Sequence, residues 1–260
     1  MNSKRHASLF VLIILFSLGL FLGAYDFLDT KLQGYLIGYE TAFIDRVIDG
    51  DTAESNGTSI RLLGINTPEK GEKYYSEAKE FLEDLILNKT VRLEYGKERK
   101  DRYGRTLAYL YLGNENINLK LVEEGYANFY FPSGKDMHYN EFAQAWEECS
   151  KNICEVSKDK CASCIKLAKF DYEEEVLILE NICDFDCDLT GWEIKDEGRK
   201  KFIFPEFILE SLEDIEILVG EDEDDEDNLY WENQDYVWTD SGDTLFLRDA
   251  EGFLVLWKSY

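Results

Sequence analysis

The cysteines of this chain are confined to a junction of fewer than forty residues, and that placement limits how the polypeptide can fold. They are Cys149, Cys154, Cys161, Cys164, Cys183 and Cys187. An even number predicts disulfides in an exported protein, with fifteen pairings possible if all six are used. The alternative is a zinc site built from the first four, because Cys161 and Cys164 have the spacing of a metal-ligand pair. We favour disulfides because the N-terminus predicts export.

The N-terminus combines positive charge with a long apolar run. The basic residues Lys4 to His6 precede an uncharged, mostly apolar stretch from Ala7 to Tyr25. As a helix this stretch is about long enough to cross a ~30 Å hydrocarbon core, so we interpret residues 1–35 as a membrane anchor and linker. The alternative is a signal peptide cleaved near Ala24. In both cases the positive-inside rule predicts an extracytoplasmic protein, which is anchored by its N-terminal helix or secreted if cleaved.

The net charge of −26 is distributed unevenly along the chain. Residues 170–260 hold 29 Asp and Glu against 6 Lys and Arg, so the acidity belongs almost entirely to the C-terminal part. The first part also carries a basic cluster within nine residues, formed by Lys97, Arg99, Lys100, Arg102 and Arg105. Such a cluster is compatible with a polyanion-binding surface, and the alternative is a solvated hairpin tip.

Residues 36–155 mix short strands with amphipathic helices. "TAFIDRVIDGDTAES" and "TSIRLLGI" predict three strands, and "YYSEAKEFLEDLILNK" places apolar residues at helical spacing. "TVRLEYG" and "RTLAYLYLG" predict two more strands, whereas "INLKLVEEG" and "YNEFAQAWEECS" predict two more helices. This order predicts a mainly β (α+β) fold in which a five-stranded barrel is capped by helices.

Residues 156–260 have a different pattern, in which short alternating strands are separated by turns and no long helix is predicted. We expect a β-sandwich here, with Trp192, Phe204, Trp238 and Leu245 in its core. The acidic run "EDEDDEDN", residues 221–228, lacks the glycine and the distant glutamate of an EF-hand loop. We therefore interpret this run as a solvated loop.

Six residues of the first part together have the chemistry that metal-assisted phosphodiester hydrolysis needs. Carboxylate, amide and carbonyl oxygens suit a hard cation such as calcium. Two guanidinium groups can hold a phosphate, and a further carboxylate can orient or deprotonate water. The residues are Asp51, Arg61, Asn66, Thr67, Glu69 and Arg105. Each alone is equally well explained by a turn, an ion pair or a loop, and only their combination favours a catalytic site.

The combination occurs in three ordered blocks, "VIDGDT", "IRLLGINTPE" and "KDRYGRTLAYLY". These blocks resemble the signature of the staphylococcal nuclease (thermonuclease) family over about residues 40 to 150. The resemblance implies an OB-type barrel, a calcium cofactor and sugar-nonspecific cleavage of DNA and RNA. The implied products carry 5′-hydroxyl and 3′-phosphate ends.

The resemblance also implies a role for each matching residue. Asp51 matches the metal-ligand aspartate, and Thr67 matches the threonine whose backbone carbonyl also coordinates the metal. Glu69 matches the glutamate that is often assigned as the general base. Arg61 and Arg105 match the two catalytic arginines that bind phosphate. In this interpretation the arginine at the head of "IRLLGINTPE" reaches the phosphate, and the following loop positions metal and water.

Two features depart from the best-known pattern of that family. Asn66 stands where a second aspartate ligand is expected, and its amide oxygen can still bind calcium but without the charge, so we expect altered metal affinity. Among substrate-binding residues, Arg102 and Tyr103 match the basic residue and the tyrosine of the third block. The last substrate-binding tyrosine falls on Phe131, or on Tyr130 if the register shifts by one.

The second part resembles the lamin-tail domain, which is an immunoglobulin-like fold, in the blocks "DLTGWEIKD", "FIFPEFIL" and "LYWENQDYVWTDSGDTLFLRDAEG". This resemblance implies binding or tethering to a ligand that it does not identify. We therefore expect an exported or membrane-anchored, calcium-dependent endonuclease that is monomeric and acts preferentially on single-stranded DNA or RNA. The alternatives are a barrel that binds nucleic acid without cutting it, and a surface interaction protein whose main function lies in the tail domain.

Overall fold

The computed structural model describes residues 39–260, which form a mainly β structure with three α-helices and several sheets. The anchor predicted for residues 1–35 lies outside the described residues. Within residues 39–260, no helix has both the length and the apolar character needed to span a bilayer. We call residues 39–155 the first domain and residues 156–260 the second domain, because the buried apolar side chains form two clusters that largely follow this division.

The first domain has nine strands, most of them short. The main sheet has the order β1-β6-β7-β4-β3-β2, with β8 added to β7, and β5 pairs separately with β9. β4 and β7 are parallel, whereas the other pairs in this domain are antiparallel. The strands β1 to β9 span Glu40–Phe43, Arg46–Asp49, Thr52–Ser55, Thr58–Leu62, Gly64–Asn66, Thr90–Glu94, Thr106–Leu112, Glu115–Asn116 and Asn128–Tyr130.

The three helices fall where the apolar spacing predicts them, at Tyr75–Ile86 (α1), Ile117–Glu123 (α2) and Tyr139–Glu148 (α3). Each buries an apolar face against the rest of the domain, as is usual for short helices whose stability comes mainly from tertiary packing. The side chain of Asn116 caps α2 by accepting from two backbone amides of its first turn. Gly125 follows α2 with φ +68°, a conformation that favours glycine.

The second domain has ten strands in two four-stranded sheets and one small sheet. The sheets have the orders β10-β11-β16-β17, β14-β13-β18-β19 and β12-β15. Side chains from both larger sheets pack in one apolar cluster, which includes the four residues expected there, Trp192, Phe204, Trp238 and Leu245. The strands β10 to β19 span Ile165–Asp171, Val176–Asn181, Cys187–Asp188, Glu193–Lys195, Lys201–Ile203, Ile208–Leu209, Asp214–Val219, Asn228–Trp231, Thr244–Arg248 and Leu254–Ser259. The acidic run is exposed from Glu221 to Asp227, as expected for a solvated loop.

All six cysteines are paired, which confirms the prediction of disulfides. Cys149 bonds to Cys154 at the end of α3, and the two further bridges lie within the second domain, near its start. The alternative zinc site is wrong because each of its four thiols is part of a disulfide. The bonds are Cys149–Cys154, Cys161–Cys187 and Cys164–Cys183.

The two domains share an aromatic contact. Phe246 of β18 is buried in the core cluster of the first domain, with its ring centroid 5.1 Å from that of Trp146 on α3. Trp257 of β19 lies edge-on to Phe129 and Trp146, at centroid distances of 6.2 and 6.4 Å. Because aromatic packing depends on specific geometry, this contact fixes how the second domain sits on the first.

A polar contact lies beside the aromatic one. The loop between β13 and β14, Asp196–Lys200, reaches the first domain, and we call it the hairpin loop. Within it, the backbone carbonyl of Glu197 accepts from Asn128 Nδ2 at 3.0 Å, and Glu197 Oε1 accepts from the amide of Phe131 at 3.1 Å. Asp196, Glu197 and the nearby Asp243 are all buried. Burial and the charge of Asp243 raise the pKa of Asp196 to about 7 and that of Glu197 to about 8.

We predict that the substitution Phe246→Ala destabilises the first domain although the residue belongs to the second. Loss of a buried phenylalanine side chain should lower the free energy of unfolding by about 3–5 kcal/mol. Guanidinium-induced unfolding followed by tryptophan fluorescence measures this change. Phe43→Ala removes a half-exposed ring from β1 and is the matched control, with an expected change within about 0.5 kcal/mol. Equal effects of the two substitutions would contradict a shared core.

We predict that Asp196→Asn stabilises the protein increasingly as the pH rises. The folded-state pKa of about 7 lies above the ordinary value of 3.8, so the stability linked to Asp196 is complete below 3.8 and is lost as the pH rises through 7. The uncharged asparagine avoids this loss, which is on the order of 4 kcal/mol at about 1.4 kcal/mol per pKa unit. Thermal unfolding at pH 5 and pH 9 should show the difference, whereas exposed Asp214→Asn should show none. A constant offset between Asp196→Asn and wild type would refute the prediction.

Candidate active site

A cleft of about 680 Å³ lies between the two domains and contains many of the side chains expected at the site. The first domain contributes Arg61, Asn66, Arg102, Tyr103, Arg105, Tyr130 and Pro132. The second domain contributes Asp196, Glu197, Gly198, Arg199, Lys200, Tyr236, Val237, Thr239 and Asp243. The second-domain wall of this cleft is not anticipated by the sequence analysis.

Asp51 lies in the tight turn between β2 and β3, with its side chain buried beside the cleft. The turn is close to α1, because a Cβ atom on Gly50 would lie 2.9 Å from Ala78 Cβ and from Thr67 Oγ1. Asp51 Oδ2 accepts from the amide and the hydroxyl of Thr67, at 3.2 and 3.3 Å. Thr52 Oγ1 donates to Asp51 Oδ1 at 3.0 Å. The carboxylate is therefore fixed in orientation by its neighbours.

Arg61 is buried on β4 and forms an ion pair with Asp51, whose Oδ2 is 3.1 Å from Arg61 Nη2. The guanidinium also donates to the carbonyl of Leu62 at 2.6 Å and to Asn66 Oδ1 at 3.3 Å. A buried guanidinium is tolerated only when it is paired and hydrogen-bonded, as it is here. Arg61 also lines the cleft, and within residues 39–260 its Nε takes part in none of these contacts, which leaves a donor for an anion.

Asn66, at the end of β5, connects Arg61 to the second domain. Its Oδ1 accepts from Arg61, and its Nδ2 donates to the carbonyl of Gly198 at 2.8 Å. An aspartate at this position could not donate the second bond. The asparagine that departs from the family pattern therefore serves as a bridge between the domains. The neighbouring Thr67 is buried, and its backbone carbonyl takes part in no hydrogen bond among residues 39–260.

Glu69 follows on the same loop and is partly exposed. It does not line the cleft, but its Oε1 is 2.6 Å from Nε of Arg199, which does. Its amide donates to Glu72 Oε2 at 2.8 Å, and Glu72 in turn pairs with Lys195 and Lys201 of the second domain. The loop that carries Glu69 is therefore tied to the second domain by ion pairs at two positions.

Arg105, just before β7, lies on the same cleft as Arg61. Its Nε is 2.6 Å from Asp101 Oδ2, and its amide donates to Asp101 Oδ1 at 2.9 Å. Burial acts to raise the pKa of Asp101, but the hydrogen bonds from Arg105 outweigh it and hold the pKa below its usual value. Arg102 and Tyr103, on the exposed turn before Arg105, also line the cleft. The guanidinium groups of Arg102 and Arg105 both lie close to the Tyr103 ring.

The two candidates for the last substrate-binding position are clearly separated. Tyr130 lines the cleft, whereas Phe131 is buried and packs edge-on against Tyr139 and Phe142. Consecutive residues at the end of a strand point in opposite directions, so only one of them can reach the cleft. The geometry therefore supports Tyr130, the residue reached when the register shifts by one, as the last substrate-binding tyrosine.

Two functional candidates are missing from the sequence analysis. Asp49 lies two residues before Asp51, and its Oδ1 accepts from the amide of Asp51 at 3.3 Å. Burial and the charge of Asp51 raise the pKa of Asp49. The repeated aspartate in "DGD" is the signal that could have identified it. Arg199 is the second omission, and no local pattern connects it with Glu69, 130 positions earlier in the chain.

The donors near Arg61 suit a hard cation held mainly by oxygen. Asp51 offers a carboxylate, Thr67 a backbone carbonyl and Asn66 an amide oxygen. Residues 39–260 contain no group of three or more His, Cys, Asp or Glu side chains placed to hold a metal ion. A cation bound here would therefore depend on amide and backbone oxygens in addition to carboxylates. The residues present fit calcium better than a transition metal, which would favour nitrogen or sulfur ligands.

Comparison with known protein families identifies both domains. Residues 59–154 match the model described as staphylococcal nuclease homologue, and residues 160–260 match the lamin tail domain. The first match contains Arg61, Asn66, Thr67, Glu69 and Arg105, whereas Asp51 precedes its first residue. The second match contains the hairpin loop and the rest of the second-domain wall.

Curated proteins similar to this chain align with about half of it or less. A thermonuclease of Staphylococcus hyicus is 42% identical over 127 residues, which cover 44% of this chain and 75% of the relative. A thermonuclease of Staphylococcus intermedius is 39% identical over 122 residues, covering 43% and 73%. An uncharacterized endonuclease of Haemophilus influenzae is 35% identical over 146 residues, covering 51% and 79%. The chain belongs to the staphylococcal nuclease family and carries a lamin tail domain after its nuclease domain.

Proposed function

We propose that this protein is a calcium-dependent, sugar-nonspecific endonuclease that hydrolyses phosphodiester bonds of DNA and RNA. The observation that carries this proposal is the convergence of Arg61 and Arg105 on one cleft, with Asp51 paired to Arg61. The similarity to two thermonucleases supports a phosphodiesterase activity. The preferred substrate is single-stranded, because the exposed Tyr103 can stack on unpaired bases.

In the proposed reaction, a water oxygen attacks the phosphorus atom and the bond to the 5′ oxygen breaks. Glu69 accepts the proton of the attacking water. Arg61 and Arg105 donate hydrogen bonds to the phosphate oxygens, where negative charge increases in the transition state. The leaving oxygen takes up a proton and becomes the 5′-hydroxyl end, while the phosphate remains on the 3′ end.

Asp51, Asn66 and Thr67 are the residues proposed to hold calcium. When bound, calcium supplies positive charge next to the phosphate and acidity for water. The protein's own contribution is the fixed orientation of the Asp51 carboxylate, which bonds to Thr52, Thr67 and Arg61 keep in place. Thr67 contacts this carboxylate through its amide and its hydroxyl, and its backbone carbonyl would supply an oxygen without charge.

We also propose domain limits, a location and an oligomeric state for this protein. The domain limits are residues 1–35 for the anchor and linker, 36–155 for an OB-type barrel and 156–260 for an immunoglobulin-like sandwich. The two sheets that share one core support the sandwich. The main sheet of the first domain suits a barrel because its two edge strands, β1 and β2, are separated by only two residues of chain. The three disulfides support an extracytoplasmic protein. We propose that it is monomeric, and that its tail domain tethers it in addition to any N-terminal anchor.

We predict that the double substitution Arg61→Ala, Glu69→Ala lowers calcium-dependent cleavage of single-stranded DNA by at least about a thousandfold, because it removes a phosphate-binding donor and the general base. The full chain, made under oxidising conditions, is assayed with calcium and with a chelator. Arg46→Ala, Glu77→Ala removes the same two charges from exposed positions of the same domain and should cut at the wild-type rate. Cleavage that persists in the Arg61, Glu69 variant would disprove the assigned roles.

We predict that Asn66→Asp lowers the calcium concentration for half-maximal cleavage by about tenfold, because a second carboxylate adds charge to the site. The same substitution removes the hydrogen bond to Gly198, and this second effect needs its own control. Asn128→Asp removes a comparable bond to the hairpin loop at Glu197 without changing a proposed ligand. Coinciding calcium midpoints for wild type and Asn66→Asp would reject Asn66 as a ligand.

A further inference from the structure

The basic residues of the strongly acidic second domain are concentrated at the nuclease cleft. Residues 170–260 contain 6 Lys and Arg, and four of these lie between positions 195 and 201, in or beside the hairpin loop. They are Lys195, Arg199, Lys200 and Lys201. Lys195 and Lys201 pair with Glu72 of the first domain, whereas Arg199 and Lys200 line the cleft. The positive charge beside the cleft therefore contrasts with the strongly negative net charge of the rest of this domain.

Arg199 has donors left for a ligand after it has formed its contact with the first domain. Only Nε is used in the ion pair with Glu69, and within residues 39–260 the two terminal amino groups form no other ion pair. The side chain is 68% exposed and lines the cleft. A guanidinium with two open donors matches the geometry of a phosphate group.

Lys200 and Tyr236 form a second cation and aromatic pair on the same wall. Lys200 Nζ lies 3.5 Å from the centroid of the Tyr236 ring and donates to the Tyr236 carbonyl at 2.5 Å. The Tyr236 side chain is largely exposed and lines the cleft. The first-domain wall has the same combination in Arg102 and Tyr103. Each domain thus presents one exposed tyrosine next to a cation.

Three carboxylates lie buried beneath this wall, those of Asp196, Glu197 and Asp243. Burial and the charge of Asp243 raise the pKa of Glu197 to about 8 and that of Asp196 to about 7. Burial also raises the pKa of Asp243 itself. All three carboxylates accept hydrogen bonds from backbone amides of the first or second domain. The exposed charge that a ligand meets on this side is therefore that of Arg199 and Lys200.

We propose that Arg199, Lys200 and Tyr236 of the tail domain form the second wall of a single-strand binding cleft, so that the tail domain determines which substrate the nuclease domain accepts. Arg199 and Lys200 bind backbone phosphates, and Tyr236 stacks on a base. Proteins that bind single strands combine cationic and aromatic side chains in this way, because unpaired bases expose their faces. This inference rests on the proposed function for the bond that is cut, but it concerns binding and can be tested without cleavage.

The test is binding of a fluorescein-labelled single strand of about 12 nucleotides to the full chain, followed by fluorescence anisotropy in chelator, where calcium-dependent cleavage is stopped. In Arg199→Ala, Lys200→Ala we expect the Kd to rise about tenfold. Between about 50 and 200 mM salt, the slope of log Kd against log salt should fall by about 1.4, since each phosphate contact contributes about 0.7 on a single strand. Lys166→Ala, Lys258→Ala is the matched control, because it removes two exposed charges of the same domain outside the cleft. The control should bind as the wild type does.

Tyr236→Ala separates stacking from charge. We expect it to raise the Kd for the single strand at least about fivefold, to leave the salt slope unchanged and to leave binding of a duplex of the same sequence unaffected. Equal single-strand binding by wild type, the Arg199, Lys200 variant and the Tyr236 variant would overturn the proposal. Tighter binding or faster cleavage by the Arg199, Lys200 variant would also overturn it, because the hairpin loop would then block the cleft.

The same samples distinguish failure of this inference from failure of the proposed function. A wild-type protein that does not cleave in calcium, but loses affinity through the two variants, would refute the nuclease activity and support the binding wall. A wild-type protein that cleaves, with variants that bind normally, would support the nuclease activity and refute the wall. Thermal unfolding of each variant verifies that the fold is intact, and Arg199→Lys, which retains the charge, should recover part of the affinity.

Discussion

The buried ion pair between Arg61 and Asp51 is the interaction on which the rest of the site depends. Two charges removed from water are tolerated only if each is paired and its remaining donors and acceptors are used. Asp51 therefore also bonds to Thr67, while Arg61 also bonds to Leu62 and Asn66. The pair and its partners come from the turn after β2, from β4, and from β5 with the residue that follows it, so satisfying one ion pair fixes three neighbouring segments of the first domain.

The need for hydrogen-bond partners extends into the second domain, because Asn66 Nδ2 donates to the carbonyl of Gly198. That contact needs a fixed docking of the domains, which the aromatic packing of Phe246 and Trp257 provides. A tail domain joined only by a flexible linker could not keep one carbonyl within hydrogen-bond distance of a buried amide. The second domain is therefore a structural part of the cleft, whatever role it has in tethering.

Local sequence patterns predict local structure, such as helices and motifs, but they do not predict contacts between residues that are distant in the chain. The spacing of Ala78, Leu82 and Ile86 predicts α1, and Arg61 and Arg105, which come from two of the three ordered blocks, line one cleft. The partner of Asn66 lies 132 residues away, and the partner of Glu69 is equally remote, so neither contact leaves a local pattern. The period of two along a strand separates Tyr130 from Phe131 only when the register is known.

The net charge of the chain is likewise a poor guide to nucleic-acid binding, because a ligand is attracted by the charges on the surface that it contacts. Screening at physiological salt limits the reach of exposed charges to about 8 Å, so the charges nearest to a ligand have the largest effect on it. Within the cleft, Arg61, Arg102, Arg105 and Arg199 stand against carboxylates that are buried and hydrogen-bonded. A protein of charge −26 can therefore present a cluster of cationic side chains to a polyanion within one cleft.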